Sequence, residues 1–181
     1  IVLCDGQVLR TQPRADYRMR TEARRLSLTQ LALGLGHLKQ GGTMVVLLHG
    51  LEGLITLELL HLFSQFSSIQ LFKPARAHAK RSSFYMVATN VQVEHPEAVK
   101  AVDSWKDLWK VATFGGEEEY NQLVHKDSKW AETIVKDFGP TIIQLGRPIW
   151  AIQARALANA PFIKGSSAVP PASRSWRRDS T

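Results

Sequence analysis

Cysteine is nearly absent from this chain: Cys4 is the only one among 181 residues. One thiol can form no internal disulfide and cannot build a cysteine-rich zinc site. A chain without disulfides suits a reducing compartment, so the expected setting is intracellular, nuclear or cytoplasmic, and not secreted. Long apolar runs are missing as well. The most apolar stretch, Thr43 to Phe72, is interrupted by His49, Glu52, Glu58, His61 and Gln65. A membrane span needs roughly 18 uninterrupted apolar residues, so no membrane helix is expected. No basic-then-apolar leader stands before the opening IVLCDG, and a chain that opens on a strand is expected to be a fragment that starts mid-fold. Lysine is missing over a long interval, with none between Lys39 and Lys73. No G-x-G-x-x-G loop leads from a strand into a helix, because Gly34 and Gly36 fall inside a helical pattern.

What is present suits a globular α/β domain with appendages. Hydrophobic residues make up 44% of the chain, enough for a core. The net charge of +7 is segmental. Residues 1–40 carry seven Lys/Arg against three Asp/Glu, and residues 73–90 carry Lys73, Arg76, Lys80 and Arg81 with no acid. Residues 41–72 and 91–163 are each acidic by two charges, and the tail from Lys164 is basic by three. Clustered positive charge favours an anionic partner such as nucleic acid. Its plainer reading is a solvated surface.

IVLCD reads as a short buried strand ending on an acid. Asp16 is placed to cap a helix of about twenty residues, with Leu28, Leu31, Leu35 and Leu38 at helical spacing. TMVVLLH is apolar on both sides, which predicts a strand covered by helices on both faces. A helix is expected from Glu52 to Phe66, a strand at SSIQLFKP, a basic loop over 75–81 and a fourth strand at SSFYMVATNVQ. That order predicts a doubly wound, partial Rossmann-like sheet with an antiparallel hairpin at its edge. Residues 1–92 would form this unit and residues 93–163 a helical extension. The extension opens at His95-Pro96 with Ala98, Val102, Trp105, Trp109 and Ala112 on one stripe, read as a packing face. Gly115 to Glu119 reads as a solvated break. Further helices are expected near Ser128–Phe138 and Pro148–Ala160, and residues 164–181 read as a disordered basic tail.

Four marks in residues 1–92 together resemble the FtsJ-like (RrmJ-type) ribose 2′-O-methyltransferase family. A strand ends in Asp at LCDG, a long helix leads to a Gly-Gly turn and strand at LKQGGTMVV, a strand ends in Lys-Pro at LFKP, and a basic loop precedes an edge strand at HAKRSSFYMVAT. LFKPARAHAKRSSFYMVAT is the most specific part. The resemblance covers about half the chain and corresponds to the C-terminal part of the family domain; residues 93–163 have no counterpart in it. It implies a sheet that binds S-adenosylmethionine and methylates a ribose 2′-hydroxyl of RNA. The family's glycine-rich cofactor loop follows its first strand, whereas this chain opens at what resembles the fourth.

A ribose hydroxyl is a poor nucleophile, so methyl transfer needs in-line placement and help with the proton. The family pattern supplies two lysines, an aspartate and a glutamate. Asp5 matches the aspartate, with implied contact to cofactor and ribose; its plainer reading is a cap on the following turn. The first lysine would lie upstream. Leu47 stands where the second lysine belongs, and Ser83 where the glutamate belongs. His49 is then the one titratable group near that strand end, and an unperturbed pKa of about 6.5 suits base work; packing or local hydrogen bonding is the plainer reading, with Glu52 placed to orient the ring. Lys73, Arg76, Lys80 and Arg81, with His78 among them, are spaced to meet successive RNA phosphates, and Arg10, Arg14 and Arg18 could extend that track. Phe84 and Tyr85 read as sheet residues.

Three expectations stay open from the residues. The chain is the C-terminal part of an S-adenosylmethionine-dependent RNA methyltransferase, not expected to turn over alone. Or it is a degenerate, non-catalytic methyltransferase fold that binds RNA. Or it is a truncated product with an unpaired strand edge that does not fold stably.

Overall fold

The structure, a computed structural model, describes residues 1–9, 11, 13, 15, 16, 19, 21–124 and 128–164. Its elements are β1 (Val2–Cys4), α1 (Glu22–Gly36), β2 (Gly42–His49), α2 (Leu54–Ser64), β3 (Ser68–Phe72), β4 (Ser83–Val91), α3 (Pro96–Phe114), α4 (Glu117–Val124), α5 (Ser128–Ala158) and α6 (Pro161–Lys164). Arg10, Arg14 and Arg18 lie outside the described residues. So does the expected basic tail, apart from Lys164 at the end of α6.

The strands form one mixed sheet in the order β1-β2-β4-β3. β1 and β2 are parallel, while β4 runs antiparallel to both β2 and β3. The expected β3–β4 hairpin is present, but β4 is an interior strand and β3 is the outer one. Burial explains the placement. Phe84, Met86, Ala88 and Val91 are all buried, which a strand flanked on both sides permits. Because β4 is reversed, its amino end shares one edge of the sheet with the carboxyl ends of β1, β2 and β3.

Among the described residues, helices do not cover both faces of β2, contrary to the expectation from its double-sided apolar sequence. Successive strand residues point to opposite faces. Cys4, Met44, Val46, Leu48, Phe84, Met86 and Ala88 are buried on one face. On the other, Val45, Leu47, Tyr85 and Val87 are half-buried, and Leu3 and Phe72 are 64% and 57% exposed. β1 is therefore buried on one side only. The covered face is seated by α1 through Gly34. A Cβ there would lie 2.8 Å from Met44 Cε, 3.0 Å from Val2 Cγ1 and 3.1 Å from Cys4 Sγ. Glycine lets the helix backbone approach the strands at this point.

α1 begins at Glu22 after Thr21, not at Asp16. The Asp16 carbonyl accepts from the Met19 amide at 3.1 Å. α2 begins at Leu54 because Gly50 to Gly53 forms a closed turn, with the Gly53 amide donating to the Gly50 carbonyl at 3.0 Å. α3 opens as read: His95 caps it, its Nδ1 accepting from the Glu97 amide at 3.2 Å, and proline follows at the first position. Its stripe packs, with Ala98, Ala101 and Trp105 buried and Val102 and Trp109 partly so. Trp105 stacks on Phe63 of α2 at 6.3 Å between centroids. The break after Gly115 is short, because Glu117, Glu118 and Glu119 open α4, where acids favour a helix N-terminus.

The two helices expected after Ser128 are one helix of 31 residues that runs through Pro140 and Pro148. Proline removes one amide donor and bends a helix, at a cost of about 3 kcal/mol. Buried Ile134, Phe138, Ile142 and Ile149 along one side hold this one continuous. Phe138 meets the His61 ring of α2 edge-on at 5.2 Å. The extension over 93–163 thus packs into the same apolar cluster as residues 1–92. Among the described residues, no helix is long and apolar enough to cross a membrane.

Gly34 and Gly36 sit in one helix but in different surroundings, since the nearest atom to a Cβ at Gly36 is Val102 Cγ1 at 3.9 Å. Gly34→Val is expected to cost about 1–3 kcal/mol by overpacking. Gly36→Ala is expected to be neutral or to stabilise by up to about 1 kcal/mol. Urea unfolding midpoints measure both, and equal midpoints would show that α1 is not seated through Gly34.

Candidate functional site

The shared edge gathers Asp5, His49, Lys73 and Ser83 from four separate strands. Cys4 pairs with Val46, which sets Asp5 level with Leu47, and Leu47 pairs in turn with Tyr85. The Tyr85 hydroxyl donates to Asp5 Oδ2 at 3.4 Å, a long bond across the row. Tyr85 is held above its usual pKa by burial and then by the Asp5 charge. Leu47 lies in that row between the two. No sequence pattern marks the Asp5–Tyr85 pairing; strand register places the two together.

His49 is exposed, and its Nε2 lies 3.0 Å from Gln7 Oε1. A carboxamide oxygen accepts, so this nitrogen carries the proton and Nδ1 is the basic one. Gln7 orients the ring, and Glu52, the expected partner, lies exposed in the turn before α2. Gln7 is itself placed by its neighbour: the Gly6 amide donates to Gln30 Oε1 at 2.7 Å, and Gln30 Nε2 donates back to the Gly6 carbonyl at 3.2 Å. Nothing in the sequence marked Gln7 or Gln30. The pKa of His49 is lowered from 6.5 by burial, then by the charges of Arg81, His78 and Lys73.

Lys73 does not join the basic track on the surface. It is 3% exposed, and its Nζ donates to the Arg81 carbonyl at 2.6 Å and the Ser83 carbonyl at 2.7 Å. Burial lowers its pKa. The lysine read as a phosphate contact instead fastens both ends of the loop between β3 and β4. Two further contacts hold that loop. Ala79 is buried under it, and the Arg81 amide donates to the His78 carbonyl at 2.9 Å, with His78 in the left-handed region at φ 59°. Arg76, His78, Lys80 and Arg81 are all exposed on this fixed frame. The Gly50 amide reaches the Ser82 carbonyl at 3.2 Å and joins the loop to the end of β2.

No protein-family model matches the chain, and no curated protein matches it. Its chemistry is therefore read from the edge alone. Ser83, opposite His49, is buried, and its Oγ has no hydrogen-bond partner among the described residues. Cys4 is inert: burial pushes its thiol up to about 11, and its Sγ lies 3.4 Å from the Gln30 carbonyl. Among the described residues no group of three or more His, Cys, Asp or Glu side chains could hold a metal ion. Under the edge, on the covered face, a cavity of about 710 Å³ opens between α1, α2 and α3, walled by Leu28, Leu59 and Trp105 and reaching Gln7 and His49.

Two outcomes test this geometry. Lys73→Met takes this donor from the Arg81 and Ser83 carbonyls, and the buried bond to Ser83 alone is worth about 1–3 kcal/mol. It should lower the urea midpoint and speed amide exchange across residues 75–81, whereas an unchanged loop would show that Lys73 does not fasten it. His49 should titrate below 6.5 by NMR, and Arg81→Ala should move its midpoint upward. The folded state then binds fewer protons than the unfolded chain just below pH 6.5. The His49 contribution therefore rises with pH through that window and is lost on acidification.

Proposed function

We propose that this chain corresponds to the C-terminal part of an FtsJ-like RNA ribose 2′-O-methyltransferase domain. What its residues supply is the rim that holds RNA, and methyl transfer requires groups the chain does not carry. The observation that carries this reading is the fixed, cationic loop standing at the carboxyl edge of a mixed α/β sheet, beside Asp5. Ligands of open α/β sheets bind at that edge. Arg76, Lys80 and Arg81 stand exposed on a loop fastened at both ends, so phosphate contacts made there lose little ordering entropy. The resemblance at LFKPARAHAKRSSFYMVAT falls on the same loop and on β4.

The residues do not fit S-adenosylmethionine. Two strand-to-helix connections carry glycine among the described residues: the Gly6 amide is taken by Gln30 Oε1, and the Gly53 amide of the Gly50 to Gly53 turn is closed on the Gly50 carbonyl. A turn closed in this way offers no cradle. Asp5 is of the right type at the right place, but its carboxylate is engaged by Tyr85. Leu47 and Ser83 can take neither the lysine's nor the glutamate's part. His49 is left as the base at the end of β2, neutral at physiological pH and aimed by Gln7. The second reading, a degenerate methyltransferase fold that binds RNA without turnover, is favoured by these same two positions. It differs from the first in whether a partner segment restores activity.

The test is RNA binding by the whole chain across a salt series. On single-stranded RNA each phosphate contact contributes a slope of about 0.7. Replacing Arg76, Lys80 and Arg81 together by alanine should lower that slope by about 2, while Lys73→Arg should leave it unchanged. Calorimetry with S-adenosylmethionine should show no saturable binding. An unchanged slope in the triple variant overturns the RNA rim, and saturable cofactor binding overturns the division of labour.

A further inference from the structure

We propose that the wall where α5 meets the carboxyl edge holds one unpaired nucleobase of single-stranded RNA, a base with an exocyclic amine, stacked on Trp150. This rests on the RNA reading above and extends it to the helical extension, to which the resemblance assigns nothing. A second, smaller hollow of about 270 Å³ lies there, lined among others by Glu52, Ser82, Phe84, Trp150 and Gln153. Drug-sized ligands occupy sites of about 300 Å³ and more, so this one suits a single planar ring system.

Each wall supplies one element of base recognition. Trp150 is a large aromatic left 38% exposed on α5, beside the buried Ile149 that seats this part of the helix. Its indole lies back over Gly146, where a Cβ would come within 2.9 Å of Cζ3 and would also press into Leu51. Glycine at 146 therefore both seats α5 on Leu51 and leaves room for the ring. Unpaired bases stack on such rings, which is how proteins usually select single-stranded RNA. Glu52 is an acceptor only, and it matches an amine donor such as N4 of cytosine or N6 of adenine; uracil offers a carbonyl there and would meet the carboxylate unfavourably. Gln153 can both donate and accept. The phosphates have a place as well, since Ser82 of the hollow directly follows Lys80 and Arg81. A strand whose base enters the hollow thus brings its backbone along the basic loop. A duplex keeps its bases stacked and presents only phosphates.

The whole chain is titrated into labelled oligocytidine, oligouridine and an RNA duplex of equal length. Oligocytidine should bind more tightly than oligouridine. Trp150→Ala should weaken oligocytidine by about tenfold or more, leaving the duplex affinity and the salt slope as they were. Trp150→Phe should keep most of the affinity. Trp150→Leu, apolar but without a π-face, should lose as much as alanine and so separates stacking from packing. Glu52→Gln should narrow the gap between cytidine and uridine. If the loop variants lose RNA while Trp150→Ala and Trp150→Leu bind oligocytidine unchanged, the base site is overturned and the RNA rim stands. Equal losses on single strand and duplex also overturn the base site. If the unmodified chain binds none of the three RNAs, both readings fall.

Discussion

The arrangement of this molecule depends on one backbone constraint, the antiparallel seating of β4 between β2 and β3. A parallel return would need a crossover that carried the chain to the opposite edge of the sheet before re-entering. Reversal removes that need. The chain leaves β3 and re-enters at β4 through a short loop, and the loop stays on the edge where β1 and β2 end. Asp5, His49, the cationic loop and the turn before α2 therefore share one rim although they are distant in sequence. The wall from α5 reaches the same rim, because Gly146 lets that helix close on Leu51.

The order of the first seven elements was legible because it rests on local signals: apolar runs of strand length, a Gly-Gly stop, a proline opening a helix. Coverage of the sheet was not legible. Val45 and Leu47 are as apolar as Met44 and Val46, and sequence cannot say whether a helix lies over them. Two helices were expected where one runs through Pro140 and Pro148, because the cost of a proline is local while its compensation is not; it comes from Ile134, Phe138, Ile142 and Ile149, all buried. Lys73 was misread for a similar reason. A lysine in a basic stretch reads as surface charge, and only the loop's fold shows two carbonyls converging on its ammonium. The site is partly legible. Asp5 and His49 lie at strand ends as expected, but their partners Tyr85 and Gln7 come from register and from the Gln30 clasp, which leave no pattern in one dimension.

The rim also shows how charge and chemistry can part. Binding a polyanion needs exposed cations held on a firm frame, and Arg76, Lys80 and Arg81 satisfy that. Moving a proton needs a titratable group beside the reacting atom. Leucine at 47, set in the row between Asp5 and Tyr85, removes that group from the place where the resemblance puts it. Affinity for RNA is compatible with either fate of the chemistry.

The clasp made by Lys73 has a consequence for how such a rim can change over generations. Both of its acceptors are main-chain carbonyls, at Arg81 and Ser83, and every residue type offers the same carbonyl. The fastening is blind to the side chains it fastens. Residues 76, 80 and 81 can therefore drift in charge or size while the loop's shape is inherited unchanged, with Ala79 held by packing and residue 78 restricted by its left-handed backbone. Selection for a different anion would have three tunable positions on a frame that need not be rebuilt.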